Sequence, residues 1–224
     1  ALIRGGGKAA NRGILMRSGD AFQIFTDVDH IVLDKTGTIT VGEPAVSEVV
    51  AFGADEVDVL TTAASAEAFS EHPLADAILE AADEHGFEYG DPDAFDSVTG
   101  KGVRATVASD DVLVGKSGWL SDEGIDLSKG DADIERLQGR GLTVAGVVRG
   151  GDLIGLIGIG DEVKSDAAAT VQRMTEVGIT PVMITGDNER TANAVAEEVG
   201  IDRVMADVLP DEKREEIGRL QEAG

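Results

Sequence analysis

The sequence predicts an α/β protein in which a parallel α/β domain is interrupted by an α+β module with an antiparallel sheet. Three observations carry this. From Ser165 onward, helical and strand-like stretches alternate, the rhythm of a parallel sheet with helical crossovers. Between residues 103 and 159, short segments with apolar alternation are separated by turn residues, as antiparallel strands are. A lone apolar run at residues 29–34 precedes both and ends on a carboxylate, Asp34. The parallel domain therefore starts there, breaks off and resumes near residue 158. Insertions are tolerated best in exposed loops, and the loop after Asp34 is such a place. The expected division is 1–42, 43–157 and 158–224.

The elements follow in order. Residues 2–22 are rich in Gly and Arg, with a short helix or strand near Gly13–Arg17. Residues 29–34 form a buried strand. Val46–Phe52 is strand-like and Glu56–Ala68 helical. Pro73–His85 is a second amphipathic helix, with Pro73 suited to its first turn and Gly86 to its end. Val103–Ala108, Val112–Val114, Thr143–Arg149 and Leu153–Ile159 are the antiparallel strands, with a helix at Asp131–Gly139. Then come a helix to Val177, a strand at Pro181–Ile184, a helix at Arg190–Val199, a strand at Arg203–Met205 and a helix at Asp211–Glu222.

Composition narrows the function. The 224 residues suffice for one large domain or two modest ones. The absence of cysteine excludes disulfides and thiolate metal sites. No apolar run approaches the ~18 residues of a membrane span. The formal net charge of −24 disfavours nucleic acid and anionic membranes as partners. Such a charge suits a halophilic protein, because concentrated salt screens carboxylate repulsion to within a few Å.

The stretch H-I-V-L-D-K-T-G-T-I-T, residues 30–40, is the first chemical signal. In an open parallel sheet, ligands bind beyond the carboxyl ends of the strands, where Asp34 sits. A carboxylate there can attack phosphorus. Gly37 lets backbone amides approach a phosphate, Thr36 and Thr38 add hydroxyls, and Lys35 adds charge. Taken alone, the same residues read equally as an acid capping an ordinary turn. Two further strand ends weigh against that. I-T-G-D-N, residues 184–188, puts Thr185, Gly186 and Asp187 after a strand; Asp187 and Asn188 also suit a helix cap. L-P-D-E-K, residues 209–213, sets Lys213 at a helix start, where a cation can neutralise a transferring phosphoryl group or simply face solvent.

Asp34-Lys35-Thr36-Gly37-Thr38 resembles the phosphorylation signature of the P-type ATPases, within the haloacid dehalogenase superfamily. Residues 185–188 and 210–213 resemble that family's later motifs, and the similarity runs from Gly13-Ile14-Leu15 to Leu220-Gln221. The resemblance implies a Rossmann-like, haloacid dehalogenase-like phosphorylation domain interrupted by a nucleotide-binding domain. Ser70-Glu71-His72-Pro73-Leu74-Ala75 resembles the His-Pro motif of the heavy-metal-transporting members. The resemblance then implies that His72, Glu67, Gly100, Gly102 and Gly115 contact the nucleoside end of ATP. Imidazole can stack on a purine, a carboxylate accepts from its amine, and glycines bring backbone close. Without the resemblance, a His before Pro is more often a helix-entry residue. His30 and His85 read as strand-start and helix-end residues.

The implied activity is ATP hydrolysis coupled to cation transport, with ATP and Mg²⁺ as cofactors. Asp34 would be the phosphate acceptor, and Asp34 and the Thr36 carbonyl the metal ligands. Thr36 stands where the superfamily's phosphatases carry an acid that assists hydrolysis, so the phosphoenzyme should persist. Asp161 matches an aspartate at the end of the insert; Lys164-Ser165 stands where the family carries Arg-Pro or Lys-Pro, so the local turn should differ. No Gly-Asp-Gly-x-Asn-Asp motif follows Gly224, and no Thr-Gly-Glu loop is present. The resemblance therefore implies a fragment on the cytoplasmic side of a membrane protein. Its transmembrane and actuator parts and its transported cation would lie elsewhere in the polypeptide. The Asp34 strand should lie beside the strand ending at Thr185, at a sheet edge, and the fragment should form little aspartyl phosphate. A soluble phosphatase of the same superfamily and a nucleotide-binding module without chemistry are the alternative readings.

Overall fold

A computed structural model describes residues 27–222 together with residues 10, 11, 13 and 14. The expected element at Gly13–Arg17 therefore lies mostly outside the described residues. Two sheets organise the rest. Strands β1 (His30–Asp34), β8 (Thr180–Ile184) and β9 (Arg203–Met205) form a parallel sheet in the order β1-β8-β9. Strands β2 (Ala45–Ala51), β3 (Ala94–Val98), β4 (Gly102–Val107), β5 (Asp110–Gly115), β6 (Thr143–Arg149) and β7 (Asp152–Gly160) form an antiparallel sheet in the order β2-β7-β6-β5-β4-β3. The expected fold class is present: a parallel α/β unit interrupted by an antiparallel α+β unit.

Helices α1 (Glu56–Glu67) and α2 (Pro73–Glu84) cover one face of the antiparallel sheet. Local chemistry starts both. The Asp55 side chain accepts from the Asp58 amide at 2.7 Å, and His72 Nδ1 accepts from the Leu74 amide at 3.2 Å, ahead of Pro73 in the first turn. Val59, Ala63, Ala64, Ala77 and Ile78 meet Val103, Val114 and Ile157 of the sheet. Helix α1 lies close because Gly155 has no side chain: a Cβ there would stand 2.6 Å from the Val59 methyls. Helices α3 (Ser117–Asp122) and α4 (Asp131–Gln138) cover the other face, with Trp119, Leu120, Leu137, Leu142 and Leu156 between.

Helices α5 (Ala167–Glu176) and α6 (Glu189–Val199) pack on the parallel sheet through Val171, Met183, Ala192, Val195 and Ala196. Helix α7 (Lys213–Glu222) follows β9. Asn188 caps α6, its Oδ1 accepting from the Thr191 amide at 3.1 Å, and Gly200 ends α6 at φ 79°.

Three features differ from expectation. Ala94–Val98 is a strand with no expected counterpart; it is an edge strand, mostly exposed, so its sequence shows little apolar alternation. Ser117–Asp122 is a helix too short for a periodicity to register. The strand at Ala45–Ala51 joins the antiparallel sheet at its opposite edge, against β7. Since β7 runs to Gly160, residue 157 falls inside a strand.

Candidate active site

Register fixes the first two groups. Asp34, the last residue of β1, is level with Ile184 of β8, so Thr185 emerges beside it at the carboxyl end of the parallel sheet. Among the described strands, β1 pairs only with β8, the edge position expected for it. Lys213, the first residue of α7, reaches across: its Nζ lies 2.9 Å from both carboxylate oxygens of Asp34. Both side chains keep partial exposure, so the pair stays open to a ligand. The three strand-end stretches thus meet.

After Asp34 the chain makes one wide turn over Lys35–Ile39, with Gly37 at φ 75°. Thr36, Gly37 and Thr38 are exposed on it. Lys164 Nζ donates to the Gly37 carbonyl at 2.7 Å and fixes the turn from the far side of the inserted unit.

Lys35 faces away from solvent. It is buried, and its Nζ lies 2.5 Å from Asp187 Oδ2. The Thr143 hydroxyl donates to Asp187 Oδ1 at 2.7 Å, and the Thr185 hydroxyl to Oδ2 at 3.1 Å. Burial works to raise the Asp187 pKa, but the Lys35 ammonium and these hydrogen bonds outweigh it and hold the carboxyl below its ordinary value. Asp187 does not cap the following helix; Asn188 does.

Asp161 sits where the chain leaves the inserted unit. Its carboxylate accepts from the Thr40 hydroxyl at 2.5 Å and from the Gly42 amide at 2.9 Å. Thr40 also bridges Val163, so the two chain crossings between the units are tied together at Asp161.

On the inserted unit the implied nucleotide contacts form two strings. Glu67 ends α1 and His72 caps α2, with Ser70 between them and hydrogen-bonded to Glu67. Gly100 and Gly102 flank Lys101, whose carbonyl accepts from the Lys116 amide, and Gly102 pairs with Gly115 across β4 and β5. Both glycines are packed on Trp119, 2.7 Å or less from any added Cβ, so no side chain fits there. Lys116 connects the strings. Its charge bears on His72, and its Nζ donates to the Gly186 carbonyl at 2.6 Å. The imidazole stays below its ordinary pKa, first through desolvation by surrounding protein and then through Lys116.

Glu67 is the most perturbed carboxyl at this site. Burial raises its pKa to about 7, and the Ser70 hydrogen bond only partly opposes this. Its folded pKa exceeds the unfolded 4.5, so its contribution to stability is complete below pH 4.5 and is lost as pH rises through 7. The loss approaches ~3 kcal/mol by linkage. Glu67→Gln should flatten urea-denaturation stability over that interval; an unchanged slope would place the titration elsewhere.

Residues 28–224 match the family described as haloacid dehalogenase-like hydrolase. The chain belongs to the haloacid dehalogenase-like hydrolases. Its similarity extends to a copper-transporting P-type ATPase of Rhizobium leguminosarum, 42% identical over 97% of this chain and 26% of the relative. A probable copper-exporting P-type ATPase of Archaeoglobus fulgidus is 40% identical over 99% of this chain and 27% of the relative. The chain thus spans about a quarter of these relatives' length. Among solved structures, a zinc-transporting PIB-type ATPase in its E2·Pi state superposes with a TM-score of 0.68 at 32% identity, over 100% of this chain and 36% of that one.

For this haloacid dehalogenase-like hydrolase, motif reading missed Thr40, Lys116 and Thr143, and named Lys164 without its contact to the Gly37 carbonyl. Lys116 and Thr143 act across sequence separations of 70 and 44 residues, and nothing in their neighbours announces it. Lys164 had a visible signal, since it stands at the position of a basic residue in the implied motif.

Proposed function

We propose that this chain is the ATP-binding and aspartyl-phosphorylation region of a heavy-metal-transporting P-type ATPase, with Asp34 as phosphate acceptor. The observation that carries the reading is the meeting of Asp34, Thr185 and Lys213 at one end of the parallel sheet. An Asp34 oxygen attacks the γ-phosphorus of ATP, the bond to the bridging oxygen breaks, ADP leaves, and an acyl phosphate remains on Asp34. Lys213 offsets the charge gathered there, and the Thr185 hydroxyl, which donates to Asp187 Oδ2, would turn from that carboxylate to a phosphoryl oxygen. The relatives' names favour copper as the transported cation. The parent protein's transmembrane and actuator parts would complete the pump, with this region on the cytoplasmic side; no helix among the described residues is long and apolar enough to cross a membrane.

The donor set suits Mg²⁺ shared with substrate. Among the described residues, no cluster of three or more His, Asp or Glu could hold a metal alone. One carboxylate and a carbonyl on an exposed turn fit a small hard cation that keeps waters and takes phosphate oxygens. Asp34 and the Thr36 carbonyl would hold it, and when bound it supplies charge neutralisation at the phosphate.

The inserted unit, residues 43–157 continued to the end of β7, would hold the nucleoside end through Glu67, His72, Gly100, Gly102 and Gly115, with Asp161 at its exit. His72→Ala should weaken ATP binding by about 1–2 kcal/mol, one or two polar contacts, with folding intact. Unchanged affinity in calorimetry would move the adenine contact elsewhere. We also read the −24 charge as adaptation to salt. The melting temperature should rise as potassium chloride reaches molar levels, and a flat or falling curve would sink that reading.

The decisive experiment is labelling. Full-length protein given ATP with a labelled γ-phosphate should carry hydroxylamine-labile label on the peptide containing Asp34. Label on a hydroxyl residue, or none, would overturn the proposal.

A further inference from the structure

The loop between β9 and α7 is pinned to the end of β8. The Asp207 amide donates to the Asp187 carbonyl at 2.7 Å, and the Val208 amide to the Thr185 carbonyl at 3.1 Å. Asp207 is held at φ 55°, a left-handed conformation uncommon for a residue with a side chain. Beyond it, the Leu209 amide donates to Glu212 Oε2 at 3.1 Å, and the Lys213 amide to the Leu209 carbonyl at 3.1 Å. Leu209 is thus presented from a hydrogen-bonded loop. Its side chain crosses to the inserted unit and lies on Gly100, where a Cβ would come within 2.5 Å of Leu209 Cδ2. The Lys116 ammonium on the Gly186 carbonyl holds the same two faces together.

We infer that Leu209 is an internal competitor for the glycine turn, occupying the space in which a nucleotide would approach the Gly100 backbone. This rests on the reading of Gly100 and Gly102 as nucleotide contacts. A branched apolar group and a ribose or phosphate cannot share that space, so nucleotide entry requires Leu209 to withdraw. The apparent affinity is then the intrinsic affinity reduced by the fraction of molecules with Leu209 withdrawn. The loop leads directly into α7, whose first residue is Lys213, so withdrawal of Leu209 links nucleotide entry to the lysine paired with Asp34.

The chain's one tryptophan, Trp119, packs behind Gly102 and Gly115 and gives an optical reporter of the turn. ADP is titrated by Trp119 emission into the wild-type chain and into Leu209→Ala, Leu209→Val and Leu209→Met, with calorimetry in parallel. Leu209→Ala should bind ADP roughly three- to tenfold more tightly, Leu209→Val should be intermediate, and Leu209→Met should stay near wild type. Leu209 is only partly buried, so these variants should melt close to the wild type. If Leu209→Ala does not fold, the Leu209→Val shift alone decides. Equal or weaker affinity in the shortened variants, with wild-type binding intact, overturns the competitor role and leaves the nucleotide reading standing. Failure of ADP to bind any form overturns the nucleotide reading itself, and the inference with it.

Discussion

Asp34→Asn should abolish phosphoenzyme formation and lower ATP turnover of the full-length protein by at least about a thousandfold, the scale of losing a covalent nucleophile. An amide oxygen is too weak a nucleophile to accept the phosphoryl group. The substitution keeps the shape of the side chain, so its effect is chemical. Asp34 and Lys213 are 45% and 28% exposed, and a pair so open to water contributes at most about 1 kcal/mol to folding. Denaturation midpoints of wild type and Asp34→Asn should therefore nearly coincide while labelling vanishes. Turnover that survives the substitution would mean that phosphoryl transfer uses another group.

Asp187→Ala should cost about 3–5 kcal/mol of folding stability, because it leaves the Lys35 ammonium buried without a counter-charge. The two side chains are only 7% and 11% exposed, in contrast to the Asp34 pair. Replacing both partners at once, Lys35→Met with Asp187→Leu, should cost less than Asp187→Ala alone, since no unpaired charge remains. Denaturant melts of the two variants check this; a loss below about 1 kcal/mol for Asp187→Ala would mean that water reaches Lys35. The acid limit carries the same signature. The Asp187 pKa is depressed in the folded chain, so the pair's contribution is present above the ordinary value of 3.8 and is lost as pH falls through the lower folded value. Acid unfolding of Asp187→Asn should lack that component.

The contrast between these two lysine–carboxylate pairs separates what sequence and tertiary structure each decide. Sequence alone determined the two-part plan. The alternation after Ser165 demanded a parallel sheet, and the break after Asp34 demanded an interruption, because strand and helix periodicities are local properties of the chain. It also determined which strand ends carry an acid, a hydroxyl and a lysine: Asp34, Thr185 and Lys213. Candidate chemistry is legible when the polar groups lie next to turn glycines such as Gly37 and Gly186 in the chain itself. The edge strand at Ala94–Val98 was illegible because an exposed strand has no buried face to impose alternation. Which charge stands free was illegible too. Lys35, adjacent to Asp34, turns inward to Asp187, whereas Lys213, 179 residues away, meets the Asp34 carboxylate. Only packing settles that, since burial and pairing depend on where the strand ends, the inserted unit's Thr143 and the Leu209 loop come to rest around one another. Sequence spacing carries no record of those distances.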